Sequence, residues 1–238
     1  MTNLCTRLIL PLNDLVNLFY PQHCMLCGYP LVKNEQFICL FCHCNIPKTN
    51  FHINKKNPAY DLFAGFKQIN EVTAYLFFEK EGTTQQLIHA LKYHGNNRLA
   101  AYLGRTAAYE LKAEGMYASI DTLLPVPLHP KKEKQRGYNQ SEWIAKGFAS
   151  VYGCAIDSKQ LRRLTNTQSQ TLKSVYDRHV NVENIFEVTD PESLYGKHIL
   201  LIDDVLTTGA TLSSCIETLL SVPEIKISIF SLSIAREY

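Results

Sequence analysis

Apolar positions in this chain fall into two rhythms, and their order along the sequence predicts an α/β layout. Val72 to Phe78 is a β-branched and aromatic run, which predicts a strand. Thr83 or Thr84 then caps a helix carrying Leu87, Ile88 and Leu91, and Gly95-Asn96-Asn97 breaks it. A second helix follows with Leu99, Tyr102, Leu103, Ala107 and Leu111 at helical spacing. Thr122 to Val126 predicts another strand, and Trp143, Ile144 and Phe148 open a core helix. Ile199 to Ile202 is wholly apolar, as in a strand covered on both faces of a parallel sheet. Leu212, Ile216, Leu219 and Leu220 return to the helical period. Residues 225 to 235 alternate, which predicts a last strand covering the edge of the core.

Two stretches stand outside this rhythm. Residues 46 to 65 are polar and hold Pro47 and Pro58, so they read as a linker. Residues 164 to 178 are polar and poorly periodic, as in a surface loop or a lid that closes over a ligand. Ahead of the linker, Leu8, Leu12, Leu15, Val16 and Phe19 predict a short amphipathic helix that ends at Pro21. The expected organisation is therefore 1–45 as a helix with a cysteine module, 46–65 as linker and 66–238 as the main domain.

Candidate chemistry concentrates where the 199–202 strand should end. Asp203 and Asp204 come first, then Val205, Leu206, Thr207, Thr208, Gly209, Ala210 and Thr211 lead into the helix. Open α/β sheets bind ligands at the carboxyl ends of their strands. Successive amides of a glycine-containing turn at a helix N-terminus form an anion site. A carboxylate doublet beside that site would repel a phosphate. It suits sugar hydroxyls or a magnesium ion instead. A strand followed by a capped helix is the plain alternative, yet a cap needs one such residue and not a series. An ATPase strand end is a second alternative, but no G-x-x-x-x-G-K-[ST] run accompanies it.

A basic run, Lys131-Lys132-Glu133-Lys134-Gln135-Arg136-Gly137-Tyr138-Asn139-Gln140, follows the Thr122–Val126 strand and should face the same crevice. Lys131, Lys132, Lys134 and Arg136 could neutralise a pyrophosphate, and Lys134, Arg136, Gly137 and Asn139 are candidates for holding it. Lys92 has two open readings: a phosphate ligand, or a basic residue suited to a helix C-terminus.

The cysteines alter the picture of the N-terminal part. Cys24-x-x-Cys27 and Cys39-x-x-Cys42 form two paired turns that can complete a tetrahedral structural zinc site. A redox dithiol and unligated core thiols are the alternatives. Four thiolates would close the shell, so this zinc would be structural and not catalytic. The net charge of +2 gives no global attraction to nucleic acid or membrane. No apolar run reaches the roughly 18 residues of a membrane span. Arg7, Pro11 and Asp14 interrupt the N-terminal apolar residues, so the chain reads as cytoplasmic.

Ile-Asp-Asp-Val-Leu-Thr-Thr-Gly-Ala-Thr at 202–211 resembles the PRPP-binding motif of type I phosphoribosyltransferases. Leu-Lys-Tyr-x-Gly-Asn at 91–96, Pro-Val-Pro-Leu-His-Pro at 125–130 and Arg-Gly-Tyr-Asn-Gln at 136–140 resemble the ComF/GntX family, which also carries an N-terminal cysteine ribbon. Arg163, Thr167, Gln170, Arg178, Asn181 and Phe186 fall near a further pattern of that family. The resemblance implies a type I phosphoribosyltransferase fold, a central mostly parallel sheet flanked by helices, with a small zinc ribbon. It implies PRPP or ribose 5-phosphate as ligand, with magnesium, and pentosyl transfer to an unknown acceptor with loss of pyrophosphate. By analogy Asp203 and Asp204 hold the ribose and residues 205–211 the 5-phosphate. A different class of function also follows: a non-catalytic accessory in DNA uptake or recombination that binds single-stranded DNA or a helicase-like competence protein.

Overall fold

The computed structural model describes residues 20–54, 56–93, 95–164 and 185–236. The expected helix before Pro21 and most of the expected lid, with Thr167, Gln170, Arg178 and Asn181, lie outside the described residues. The chain divides into two compact units, Met1–Pro47 and Lys48–Tyr238.

The first unit is built from short turns. Isolated bridges pair His23 with Pro30 and Gln36 with Ile38. A one-and-a-half-turn helix, α1 (Leu40–Asn45), follows. The Glu35 carboxylate accepts from the amides of Val32 (2.9 Å) and Leu40 (2.6 Å), which lowers its pKa and fixes the loop entering α1.

The second unit centres on a five-stranded sheet. Its strands are β1 (Ile69–Phe78), β2 (Thr122–Pro125), β3 (Ala155–Ile156), β6 (His198–Leu206) and β7 (Lys226–Ala235), in the order β1-β7-β6-β2-β3. Every pairing in it is parallel. Two further strands, β4 (Leu161–Arg163) and β5 (Phe186–Val188), form a separate antiparallel pair.

The helices between these strands are α2 (Pro58–Asp61), α3 (Thr83–Tyr93), α4 (Asn97–Ala113), α5 (Pro130–Arg136), α6 (Gln140–Tyr152) and α7 (Ala210–Leu219). They cover both faces of the sheet. Ile199, Leu201, Ile227 and Ile229 pack in one apolar cluster with Leu212, Ile216 and Leu219 of α7. The alternate face takes Phe230, whose ring lies 4.4 Å from that of Phe148 on α6. This is the mostly parallel, helix-flanked sheet that the sequence leads one to expect.

Three details differ from the expectation. First, β7 does not cover an edge. It lies between β1 and β6 and is buried along nearly its whole length. Its serines are satisfied internally. Ser228 Oγ meets His198 Nε2 at 2.9 Å, Ser231 Oγ donates to the Ser233 carbonyl at 2.8 Å, and Ser233 Oγ donates to the Asp204 carbonyl at 3.2 Å. Second, residues 48–63 of the polar stretch are packed into the second unit. Buried Asn57 caps α2 by accepting from Ala59 and Tyr60 and donates to the Val72 carbonyl at 2.9 Å. Phe63 and Ala59 are fully buried. Third, the basic run is not a loop but the short helix α5. Pro130 is at its start, the His129 side chain accepts from the Lys131 amide, and Gly137 ends it at φ +81°.

Strand order fixes where a crevice must form. From β2 the chain moves outward to β3, whereas from β6 it moves the other way to β7. The adjacent carboxyl ends of β2 and β6 therefore diverge, at the switch point where such sheets bind ligands. Helix α6, which borders this point, is pressed onto α4 through two glycines. A Cβ on Gly104 would overlap the Ile144 carbonyl oxygen, and one on Gly147 would overlap the Ala101 carbonyl oxygen. Gly104→Ala or Gly147→Ala should therefore destabilise the chain by about 1–3 kcal/mol, as overpacking does. Urea denaturation followed by circular dichroism checks this; unchanged midpoints would mean that the helices separate freely.

Candidate functional site

The cleft at the switch point has a volume of about 260 Å³. It is walled by the carboxyl ends of β2 (Val126, Pro127, Leu128) and β6 (Asp203, Asp204, Val205) and by Thr207 and Thr211. Four cations reach it: Lys92, Lys132, Arg136 and Arg163. Gln140 and Ser141 complete its wall.

The acidic doublet is where a fully buried strand first meets the cleft. Asp203 Oδ1 accepts from Ser141 Oγ at 3.2 Å and from the Asp204 amide at 2.9 Å. Asp204 Oδ2 lies 3.5 Å from Lys92 Nζ, close enough for an ion pair, yet this buried oxygen has no hydrogen bond among the described residues. Burial, reinforced by the neighbouring Asp204 charge, pushes the Asp203 carboxyl up to about 7. The doublet thus tends to hold one proton near neutrality, and a cation brought to it would displace that proton.

The turn after β6 leads into α7 with its first amides free of a side-chain cap. Gly209 sits at φ +77° as the N-cap of α7, and no side chain caps that helix end. Thr208 Oγ1 makes only a 3.5 Å contact with the Ala210 amide. Any Cβ on Gly209 would also press against the Phe63 ring at 3.2 Å, so both backbone and packing require glycine. Leu206 is buried, and its side chain belongs to the core.

The Arg136–Gln140 run positions the basic wall. Tyr138 Oη donates to the Leu91 carbonyl at 2.5 Å, which anchors the end of α3 next to Lys92. Asn139 accepts from the Ser141 amide as the cap of α6 and donates to the Val126 carbonyl at 3.0 Å. Arg136 Nη1 donates to Gln140 Oε1 at 2.9 Å. Of the residues singled out for pyrophosphate, Lys92 and Arg136 line the cleft. Lys134 is exposed on α5, Gly137 is that helix's left-handed cap, and Asn139 is engaged in capping. Lys132, named with the basic run, also lines the cleft; sequence reasoning missed Ser141 and the cleft position of Arg163. Ser141 sits two residues past a recognisable cap, but its pairing with Asp203 spans 62 positions and leaves no local signal.

In the first unit, the Sγ atoms of Cys24, Cys27, Cys39 and Cys42 all lie within 4.8 Å of one another. Cys27 and Cys39 Sγ are 3.6 Å apart. A zinc tetrahedron with arms of about 2.3 Å has corners about 3.8 Å apart, so this donor set fits. Cys39 and Cys42 amides point at the sulfurs of Cys24 and Cys39, at 3.3 and 3.5 Å. Burial alone would raise the Cys24 thiol, but amides of Cys39, Cys27 and Leu26 outweigh it and bring the pKa down to about 6. Such amides favour thiolate, the form that binds metal. No described helix is long and apolar enough to cross a membrane.

Fold and cleft together define an α/β protein with a crevice lined by cationic side chains at its switch point and a four-cysteine module ahead of it in the sequence. No family model matches the chain. Among curated proteins it is 27% identical over 221 residues to the DNA utilization protein YhgH of Escherichia coli O157:H7, covering 84% of this chain and 91% of that one. It is 27% identical over 147 residues to competence protein F of Haemophilus influenzae, covering 59% and 64%. With competence protein ComFC of Bacillus subtilis it shares 38% over 90 residues, covering 38% and 34%. A purine phosphoribosyltransferase structure from Pyrococcus horikoshii overlaps 60% of this chain and 86% of its own, at 16% identity and a TM-score of 0.33. The chain is thus similar in sequence to proteins named for DNA utilization and for competence.

Asp203→Asn should make the protein more stable near neutral pH. A raised carboxyl pKa means stability that is present at acid pH and lost as pH rises through about 7. The gain over the parent should be a few kcal/mol at about pH 8 and shrink as pH falls towards about 4. Urea melts across that range test it; a gain independent of pH would mean that Asp203 is not held neutral.

Proposed function

We propose that the cleft binds PRPP and that the chain is a ComF-type phosphoribosyltransferase. The observation that carries this reading is the acidic doublet adjoining an uncapped, glycine-led helix N-terminus within one cationic cleft. The amides and hydroxyls of residues 207–211, with the backbone of Val205 and Leu206, hold the 5-phosphate. Asp203 and Asp204 hold the ribose hydroxyls. Lys92, Lys132 and Arg136, with Lys134 on the same helix, offset the charge of the departing pyrophosphate. A nucleophile attacks the anomeric carbon, the C–O bond to pyrophosphate breaks, and positive charge spreads over the ring as in glycosyl transfer. Magnesium bound with the donor would be held at the carboxylate doublet and would neutralise diphosphate charge. Lys92 must leave Asp204 to reach the leaving group. Structural zinc occupies the four cysteines of the first unit.

Replacing Asp203 and Asp204 together by Ala should weaken PRPP binding by ~100-fold or more, since several charge-assisted contacts vanish at once. Calorimetry in the presence of magnesium reads this, and equal affinities would remove the carboxylates from the site. Cys24→Ser should lower bound zinc well below about one equivalent per chain and loosen the first unit. Elemental analysis finding the parent's zinc content in the variant would sink the assignment.

A second reading rests on the relatives' names, DNA utilization and competence. In it the same cationic cleft serves as a non-catalytic binding surface for single-stranded DNA or a helicase-like partner. Diphosphate release from PRPP supports the enzyme. Steeply salt-dependent binding of single strands without turnover supports the accessory role.

A further inference from the structure

The cleft holds one cation more than the donor requires. Residues 207–211 answer the 5-phosphate, and Lys92, Lys132 and Arg136 answer the pyrophosphate. Arg163 remains, and it is mounted differently from the others. It ends β4, directly opposite Phe186 of β5, and the next amide, Leu164, donates to the Ile185 carbonyl at 2.9 Å. Its guanidinium lies 5.4 Å from the Phe186 ring centre. Its Nε is sealed from solvent and has no hydrogen-bond partner among the described residues.

A buried N–H of a guanidinium left unmade is costly, and structures seldom leave one without reason. Arg163 lines the cleft, and a guanidinium carries paired, coplanar N–H donors along an edge. That edge matches a group with two oxygens, a carboxylate or a phosphate. An aromatic ring behind the guanidinium restricts its rotation and keeps the edge in place.

We propose that Arg163 reads an acid group on the acceptor, so that the substrate receiving the phosphoribosyl unit is an anion carrying a carboxylate or phosphate near its nucleophilic atom. This rests on the PRPP reading of the cleft. Arg163 is a specificity residue, and the reaction stays as described: the acceptor's lone pair forms the new bond to the anomeric carbon, and pyrophosphate leaves with the bonding pair.

The test uses the full chain loaded with PRPP and magnesium. Two pairs of ring compounds serve as probes: orotate against uracil, and nicotinate against nicotinamide. Binding is read by saturation-transfer NMR and calorimetry. Each acid should bind ~10-fold or more tightly than its neutral counterpart, the ratio expected of a charge-assisted bidentate contact. Arg163→Gln should erase that ratio while leaving PRPP affinity within about twofold, and Arg163→Lys, which keeps the charge but not the planar edge, should restore only part of it. Equal binding of acids and neutrals, or no binding of either, overturns the assignment alone. So does an Arg163→Gln variant that loses PRPP affinity ~10-fold, because Arg163 would then belong to the donor. Failure of the parent protein to bind PRPP overturns the reading of the cleft and this inference with it.

Discussion

The constraint on which this structure turns is the complete burial of β6. From Ile199 to Ile202 the strand is sealed on both faces and paired on both edges. A strand so placed can present polar groups only beyond its end. The first two residues to reach the cleft are Asp203 and Asp204, still enclosed enough that burial raises the first carboxyl to about 7. The chain accepts a destabilised pair of acids there, and the reversal of strand order between β2 and β6 supplies the opening. Charge, cleft and helix N-terminus all follow from where this one strand stops.

The basic wall shows how positioning and chemistry divide within a short stretch. Arg136 reaches the cleft, but Tyr138, Asn139 and Gln140 mostly hold other elements: the end of α3, the end of β2 and the start of α6. Lys92 comes near Asp204 because Tyr138 and Gln140 both bond to the Leu91 carbonyl. A sequence run that looks like a ligand site is here largely a clamp around one.

The sheet strands 72–78, 122–126 and 199–202, the helices between them and the cysteine geometry were legible because each is written locally, in period or in spacing. The acidic doublet and the glycine turn were legible as a motif. What was hidden depends on distant partners. The alternation in β7 looked like the cover of an edge, yet the strand is central and its serine hydroxyls find acceptors and donors on β6, on the strand itself and at Glu71. Residues 48–63 looked like a linker because Asn57, which ties them to β1, is a polar residue with no periodic signal. Arg163 was visible only as one position of a family pattern, and nothing nearby in sequence points it at a cleft built 40 positions later.

The backbone-to-backbone fit of α4 and α6 bears on how the cleft can adapt. Helix α6 contributes Gln140 and Ser141 to the wall, and its carbonyls and those of α4 stand where side chains would normally act as a cushion. Such a joint has no slack for sliding or rotation. The two walls formed by β6 and α6 therefore behave as a fixed jaw. Helix α5 is held differently: its seven residues bury no side chain, it starts with a proline, and a glycine caps its end. The cleft is therefore bordered by one tightly wedged helix and one that is held by few internal contacts.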